Sequence, residues 1–242
     1  MSTLQEVTGS RRPLLPPAPG LASAAEGNRG WTERLGMPPP FVDRCRAAYL
    51  SVAFDEAAPR VLGVTSAHHG EGKTAVALGI LTAMAFDTAE PSVLVECDLA
   101  SGSGLDRDFD FDSSPGLLDW VDGISGLRMV RMAPFQNAYA IPAGGAADDP
   151  GRAAHQLLRR NLIETLTEEF KNVVIDLPPM LGVAGSEVLA QLASRVLVVT
   201  RSGVSRPREL QSVIDAVGRD RLRGIVFNAH DPQMPAWLDR IV

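Results

Sequence analysis

A doubly wound α/β fold, with a mainly parallel sheet and helices on both faces, is predicted for this chain of 242 residues. Three observations predict it. Short continuous runs of Val, Ile and Leu, each bounded by breakers, are typical of strands buried on both faces. Helical segments separate these runs, and strands that alternate with helices form parallel sheets. The length also suits one well-filled α/β core.

The elements follow one another in a regular order. A first helix is predicted over 41–54, where apolar residues from Phe41 to Val52 recur at helical spacing. Six buried strands are predicted at 60–66, 91–98, 127–132, 172–178, 195–201 and 223–229. Further helices are predicted at 73–87, near 114–123, and at 151–170, 185–194 and 206–218.

The composition bounds the class of protein. Residues 1–36 are rich in Pro, Gly, Ala and Ser, so we expect a flexible tail there and one domain over 37–242. No window offers the roughly 18 uninterrupted apolar residues of a membrane-spanning helix. Cys45 and Cys97 lack metal-ligand spacing, which favours a reducing cytoplasm. The net charge of −6 gives no support for nucleic-acid binding.

Between the first predicted strand and the helix at 73–87 lies the stretch Ala-His-His-Gly-Glu-Gly-Lys-Thr, residues 67–74. It fits a phosphate-binding loop, in which glycines bring backbone N–H groups close to phosphate oxygens and the helix N-terminus adds positive potential. Lys73 would contact the β- and γ-phosphates, and Thr74 would ligate Mg²⁺. The alternative is a glycine-rich turn that matches by chance. The predicted nucleotide contacts are His69, Gly70, Glu71, Gly72, Lys73, Thr74 and Ala75.

Two aspartates follow other predicted strands. Asp98 comes directly after one buried run and Asp176 ends another. Ligands of open α/β sheets bind at the carboxyl ends of the strands, so we expect both carboxylates beside the loop. Either could hold Mg²⁺ or accept a proton from the attacking nucleophile. We therefore predict Lys73, Asp98 and Asp176 as catalytic and Thr74, Asp98 and Asp176 as metal-binding. Taken singly, each aspartate could instead be a helix cap or a turn former.

A series of motifs gives the chain a family resemblance. VLGVTSAHHGEGKTAVALGIL, VLVECDL, SSPGLLDWVDG, IPAGGAADDP, FKNVVIDLPPM, VLVVTRSGVSR and RGIVFNAHD occur in that order. Over residues 41–231 the chain resembles the cytoplasmic domains of bacterial tyrosine kinases of capsular and exopolysaccharide biosynthesis, within the MinD/ParA-like P-loop ATPases.

The resemblance implies the ligand and its contacts. Lys73 and Thr74 match the Walker A motif, Asp98 matches Walker A′, and Asp176 matches Walker B. Asn228 matches the position that commonly contacts adenine. The implied cofactors are ATP and Mg²⁺. The implied partner is a membrane polysaccharide co-polymerase or export protein, which would bring a cytoplasmic chain to the inner membrane.

The chain also departs from the family pattern. Glu96 stands where the family has the first Walker A′ aspartate, which puts the placement of the catalytic carboxylate in doubt. His68 occupies the place of the second lysine of MinD and ParA. Asp43, Arg46 and Tyr49 are a weakened form of a Glu-Arg-Arg oligomerisation pattern. The tyrosine-rich C-terminal cluster of active members has no counterpart, since Tyr49 and Tyr139 are the only tyrosines.

These observations predict an Mg·ATP-binding, slowly hydrolysing protein that acts as a partner or regulator in polysaccharide biosynthesis and export. Three alternatives stay open: a nucleotide-gated scaffold, a kinase that phosphorylates another protein, and a MinD/ParA-like positioning ATPase. The last would need a basic DNA-binding surface or an amphipathic membrane-binding tail, and the sequence offers neither. Homo-oligomerisation stays open, no nucleic-acid partner is expected, and membrane association is expected only through a partner.

Overall fold

Seven strands form one sheet within the part of the chain that the computed structural model describes, namely residues 37–54, 58–102, 104–105, 115–132, 135–201 and 204–228. The strands are β1 Arg60–Ser66, β2 Ser92–Glu96, β3 Val130–Arg131, β4 Ala138–Ile141, β5 Asn172–Asp176, β6 Arg195–Arg201 and β7 Leu222–Asn228. Their order is β3-β4-β2-β5-β1-β6-β7, and every pair is parallel except β3 with β4.

Helices cover both faces of this sheet. They are α1 Pro39–Leu50, α2 Lys73–Asp87, α3 Leu117–Val121, α4 Pro150–Arg159, α5 Leu162–Thr167, α6 Ser186–Ala190 and α7 Pro207–Val217. Alternate residues of β5 enter different cores: Val174 packs with α1 and α2, whereas Val173 and Ile175 pack with α3 to α7. Because both faces of the strand are buried, its sequence is continuously apolar. The doubly wound fold predicted from the sequence is confirmed.

The strand register brings the three predicted site segments together. Asp176, the last residue of β5, lies level with Val64 of β1 on one side and with Glu96 of β2 on the other. The phosphate-binding loop follows β1, and Asp98 follows β2. All three segments therefore leave the same edge of the sheet, next to one another.

Helices α1 and α2 contact each other closely at two places. A Cβ atom on Gly79 of α2 would lie 2.5 Å from the Cys45 sulfur of α1, so the missing side chain permits the close approach. Nearer the end of α2, Asp87 accepts hydrogen bonds from the Arg46 Nε atom, at 2.9 Å, and from the Tyr49 hydroxyl. Arg46 and Tyr49, which the resemblance relates to an oligomerisation pattern, thus make contacts within the chain.

Several predicted elements differ from the structure in extent. The helix predicted over 151–170 divides at Asn161, which has a φ of 53° and separates α4 from α5. The helix predicted at 185–194 is helical only over Ser186–Ala190, and the strand predicted at 127–132 only over Val130–Arg131. Strand β4 was not predicted, because the short run Ala138–Ile141 contains two alanines and lacks β-branched enrichment.

The tail predicted for residues 1–36 lies outside the described residues, so the boundary at residue 37 stays a prediction. No helix in the described ranges is both long and apolar enough to span a membrane.

Candidate nucleotide-binding site

The loop between β1 and α2 has the backbone that its glycines predict. Gly70 and Gly72 have φ values of +80° and +91°, in the left-handed region that residues with a Cβ atom rarely adopt. A Cβ on Gly70 would meet no atom within 4 Å, whereas one on Gly72 would lie 2.0 Å from the Asn228 side-chain nitrogen. Gly70 therefore borders open space, and Gly72 is packed against the end of β7.

Lys73, the first residue of α2, directs its ammonium group toward both predicted carboxylates. Its Nζ atom lies 2.8 Å from Asp98 Oδ2 and 3.9 Å from Asp176 Oδ1. Burial lowers the pKa of Lys73, but the charges of Asp176 and Asp98 and the Asp98 hydrogen bond outweigh that effect, so the pKa is raised. The side chain therefore carries a positive charge at the base of the loop.

Thr74 and Asp176 form the second half of the site. The Thr74 hydroxyl donates to Asp176 Oδ2 at 2.7 Å. Burial raises the pKa of Asp176 to about 6, against the opposing effects of the Lys73 charge and the Thr74 hydrogen bond. Asp176 is therefore mostly ionised at neutral pH, although its burial opposes the charge.

The donors fit a magnesium ion. Asp98 Oδ1 and Asp176 Oδ1 are buried and have no hydrogen-bond partner among the described residues. Buried polar atoms without partners are costly, and Mg²⁺ prefers oxygen ligands, often one or two from the protein together with phosphates and waters. Thr74, Asp98 and Asp176 offer such oxygens. Among the described residues no cluster of three or more His, Cys, Asp or Glu side chains forms a metal site by itself.

A cleft of about 390 Å³ opens above these residues. The His69 side chain is half exposed beside it, with Nδ1 3.7 Å from Asp98 Oδ2. The loop after β2 closes the other side with small residues. The lining residues are His69, Gly70, Gly72, Lys73, Thr74, Ala75, Glu96, Asp98, Ser101, Gly102 and Gly104.

Glu71 and Asn228, both predicted to contact nucleotide, do not line this cleft. The Glu71 side chain is fully buried and accepts hydrogen bonds from backbone and side-chain groups behind the loop. The Asn228 side-chain nitrogen donates to the Glu71 carbonyl oxygen at 2.9 Å. Asn228 also borders a separate cavity of about 110 Å³, together with Phe41, Arg44, Cys45, Val76, Val226 and Phe227. Its contact with adenine stays a prediction.

Glu96 has a role that the sequence did not predict. Its Oε1 atom accepts from the backbone N–H groups of Gly104 and Leu105, the latter at 3.0 Å, and its Oε2 atom accepts from that of Ala143 at 2.9 Å. The carboxylate therefore joins β2 to the following loop and to the end of β4. Because its oxygens bind backbone amides, Glu96 fixes the position of the loop that carries Asp98.

Both tyrosines of the chain are buried. The Tyr49 hydroxyl binds Asp87, and the Tyr139 hydroxyl donates to the Gln136 carbonyl oxygen at 3.3 Å. Burial and the Asp87 contact raise the pKa of Tyr49 above its usual range. Neither hydroxyl is presented to an enzyme in this conformation.

Comparisons with known proteins agree with this fold, although no family model matches the chain. The putative tyrosine-protein kinase EpsB of Ralstonia solanacearum is 28% identical over 186 residues, which is 76% of this chain but 24% of that protein. The tyrosine-protein kinase CpsD of Streptococcus pneumoniae serotype 4 is 24% identical over 176 residues, 71% of this chain and 77% of CpsD. The chain thus spans about a quarter of the first relatives that it matches.

Solved structures give the same result. The kinase domain of Escherichia coli tyrosine kinase ETK has a TM-score of 0.70 at 22% identity, covering 77% of this chain and 74% of that domain. The BceF tyrosine kinase domain has a TM-score of 0.66 at 26% identity, covering 77% and 76%. The cell division ATPase MinD of Pyrococcus furiosus has a TM-score of 0.53 at 23% identity, covering 76% and 78%.

The chain therefore has the fold of the P-loop NTPases. Within that class, the homologues of the chain are bacterial tyrosine-protein kinases, so the resemblance found in the sequence is confirmed. Those relatives are named as tyrosine-protein kinases, and the MinD protein among the structural neighbours is named as an ATPase.

Proposed function

We propose that this chain binds Mg·ATP, hydrolyses it slowly, and acts as a partner or regulator in capsular or exopolysaccharide biosynthesis. The observation that carries the proposal is that Lys73, Thr74 and Asp98 line one cleft beside two left-handed glycines, with Asp176 buried directly behind Thr74 and Lys73. An ammonium group, a hydroxyl and two carboxylates at the N-terminus of a helix are the groups that bind nucleotide phosphates and their metal.

Each side chain has a distinct role in this proposal. Lys73 would exchange its contact with Asp98 for the negative oxygens of the β- and γ-phosphates. Thr74 and Asp176 would hold Mg²⁺, which neutralises charge on the phosphates. Asp98 would then be free to orient a water molecule and accept its proton. Slow turnover is expected because the oxygens of Glu96, which stands in place of the first Walker A′ aspartate, are already bound to backbone N–H groups.

Nucleotide binding is tested by fluorescence titration with a labelled ATP analogue, with and without Mg²⁺. The sequence holds only two lysines, and Lys171 lies directly before β5, at the opposite edge of the sheet. We expect Lys73→Met to abolish binding and Lys171→Met to retain it. Equal binding by both variants would exclude this loop as the nucleotide site.

Turnover is tested by single-turnover release of phosphate from ATP. We expect slow release by the natural sequence and none above background by Lys73→Met or Asp98→Asn. Tight Mg·ATP binding without release would favour the nucleotide-gated scaffold instead.

A second candidate function is phosphorylation of another protein. The names of the relatives, which are tyrosine-protein kinases, favour it, and the burial of both tyrosines disfavours phosphorylation of this chain itself. Incubation with radiolabelled ATP and a Glu-Tyr copolymer tests it. Label in the copolymer but not in this chain supports a kinase that acts on other proteins; label in neither leaves the ATPase proposal.

The place in polysaccharide biosynthesis rests on the family of the relatives, one of which is named as lying in a cps region. We propose a membrane co-polymerase or export protein as the partner. Replacement of the chromosomal gene by one encoding Lys73→Met should lower the amount or length of the exported polymer. Unchanged polymer would remove this part of the proposal while leaving ATP binding intact.

A further inference from the structure

Glu71 is an acidic residue inside a loop proposed to bind phosphates, and its side chain is fully buried. A carboxylate at that position repels anions, and a buried charge is costly unless it is well hydrogen-bonded. The residue is therefore expected to have a compensating role.

The hydrogen bonds of Glu71 connect three segments. Oε2 accepts from the backbone N–H of His68 at 2.8 Å, within the loop. Oε1 accepts from the backbone N–H of Arg201, at the end of β6, at 3.3 Å and from the Ser205 hydroxyl. The carbonyl oxygen accepts from Asn228 at the end of β7. The loop is thus attached to the two strands on the far side of β1.

A parallel contact lies beside this one. The His68 Nε2 atom is 3.5 Å from Glu209 Oε2, and the same oxygen accepts from the backbone N–H of Arg206, where α7 begins. Two residues of the loop therefore meet the segment between β6 and α7. None of the residues on that side lines the cleft.

We propose that Glu71 is a positioning residue that fastens the phosphate-binding loop to the segment between β6 and α7, through Ser205. The proposal rests on the proposed nucleotide binding. Because the His68 N–H donates to Glu71, it is not available to a phosphate, and the N–H groups that follow Glu71 would bind the phosphates instead. By holding the segment directly before Gly72, it also sets where Lys73 and Thr74 emerge.

The expected effect on affinity follows from conformational populations. Without the Ser205 contact the loop samples other arrangements, and the apparent dissociation constant rises in inverse proportion to the fraction of molecules that keep the competent one. If Glu71 acted only through its negative charge, Glu71→Gln would bind Mg·ATP more tightly, because the variant would no longer repel an anion. The two explanations are therefore separable by experiment.

The test is the dissociation constant of Mg·ATP for the full chain and a set of variants. We expect Ser205→Ala and Glu71→Gln each to weaken binding roughly fivefold to tenfold, and the double variant to be little worse than either single one. Ser205→Thr keeps the hydroxyl and should restore most of the affinity. Ser212→Ala, on the exposed face of α7, is the matched control and should bind as the natural sequence does.

A second measurement guards against loss of folding. Hydrogen exchange of the peptide spanning 65–75 should speed up in Ser205→Ala, while exchange in β5 stays unchanged. Tighter binding by Glu71→Gln, or unchanged binding by Ser205→Ala, would overturn the inference. Absence of ATP binding by the natural sequence would overturn the proposed function, and faster exchange at 65–75 in Ser205→Ala would then still support the attachment of the loop.

Discussion

The buried carboxylate of Asp176 belongs to the candidate site, but its charge lowers the stability of the folded chain. It is buried between Lys73 and Thr74, and burial raises its pKa from the usual 3.8 to about 6. In the pH range between these two values the folded chain binds a proton that the unfolded chain releases. Stability therefore falls as the pH rises through this range, and the full cost is present above pH 6.

Asp176→Asn should consequently stabilise the protein without ligand. A rise of this pKa from 3.8 to about 6 corresponds to about 3 kcal/mol at pH 7, and about half of that gain should remain at pH 5. Urea unfolding of both proteins at the two pH values measures the difference. A gain that does not depend on pH would contradict a raised pKa, and loss of Mg·ATP binding by the variant would show what the carboxylate is needed for.

The hydrogen bonds of Glu96 give a second prediction about stability. Glu96→Asp restores the residue type of the family motif but shortens the side chain, so it cannot reach Gly104, Leu105 and Ala143 together. We expect the free energy of unfolding to fall by about 1–3 kcal/mol, since a buried amide loses its acceptor. Urea denaturation checks this, with the exposed Glu90→Asp as control. Faster ATP turnover by Glu96→Asp would mean that the longer side chain limits catalysis.

The core of the site could be predicted from residues alone, whereas its supports could not. Carboxyl ends of adjacent parallel strands meet at one edge, so the loop, Asp98 and Asp176 were expected together. The roles of Glu96 and Glu71 depend on which backbone N–H groups face them across the sheet, and no sequence spacing encodes that. The one available signal was an acid within an anion-binding loop.

The close contact between α1 and α2 predicts how a substitution at Gly79 changes stability. Gly79→Ala should raise helix propensity but place a methyl group 2.5 Å from the Cys45 sulfur and 2.9 Å from the Phe41 ring. Overpacking of this kind costs about 1–3 kcal/mol, which exceeds the gain of about 1 kcal/mol from propensity. We expect a lower melting temperature.

The matched control is a compensating change. Cys45→Ala removes the sulfur that Gly79→Ala would contact, so the double variant should recover part of the loss. Thermal unfolding of the two single variants and the double variant measures the coupling. Additive losses would mean that the helices do not meet at this point.

The bounds of a helix or strand could be predicted where its own sequence carried one strong pattern. Helix α2 begins and ends at the predicted residues, because Gly72 precedes it and its apolar residues are continuous. Helices α4 and α5 read as one helix, since nothing in the residue type of Asn161 demands the left-handed conformation that separates them. Strand β4 is made by its pairing with β2, a tertiary effect that its local sequence does not announce.

Bound Mg·ATP should stabilise the whole folded chain by mass action. Mg·ATP at about 100 times its dissociation constant adds about 2.7 kcal/mol, which raises the melting temperature of a domain of this size by about 5–10 °C. Differential scanning fluorimetry measures the shift. Lys171→Met should show it in full and Lys73→Met should not. A shift in both would point to nucleotide bound elsewhere.

The position of β5 has a consequence for how the chain acquires its shape. β1 and β2 are neighbours in sequence but not in the sheet, because β5 lies between them, and Arg60 pairs with Asn172 across 112 positions. Contacts between such distant residues slow folding, and a chain still leaving the ribosome has its loop and Asp98 long before Asp176. During synthesis β1 and β2 have no shared neighbour until β5 has been made, so the candidate site is complete only after that strand joins the sheet.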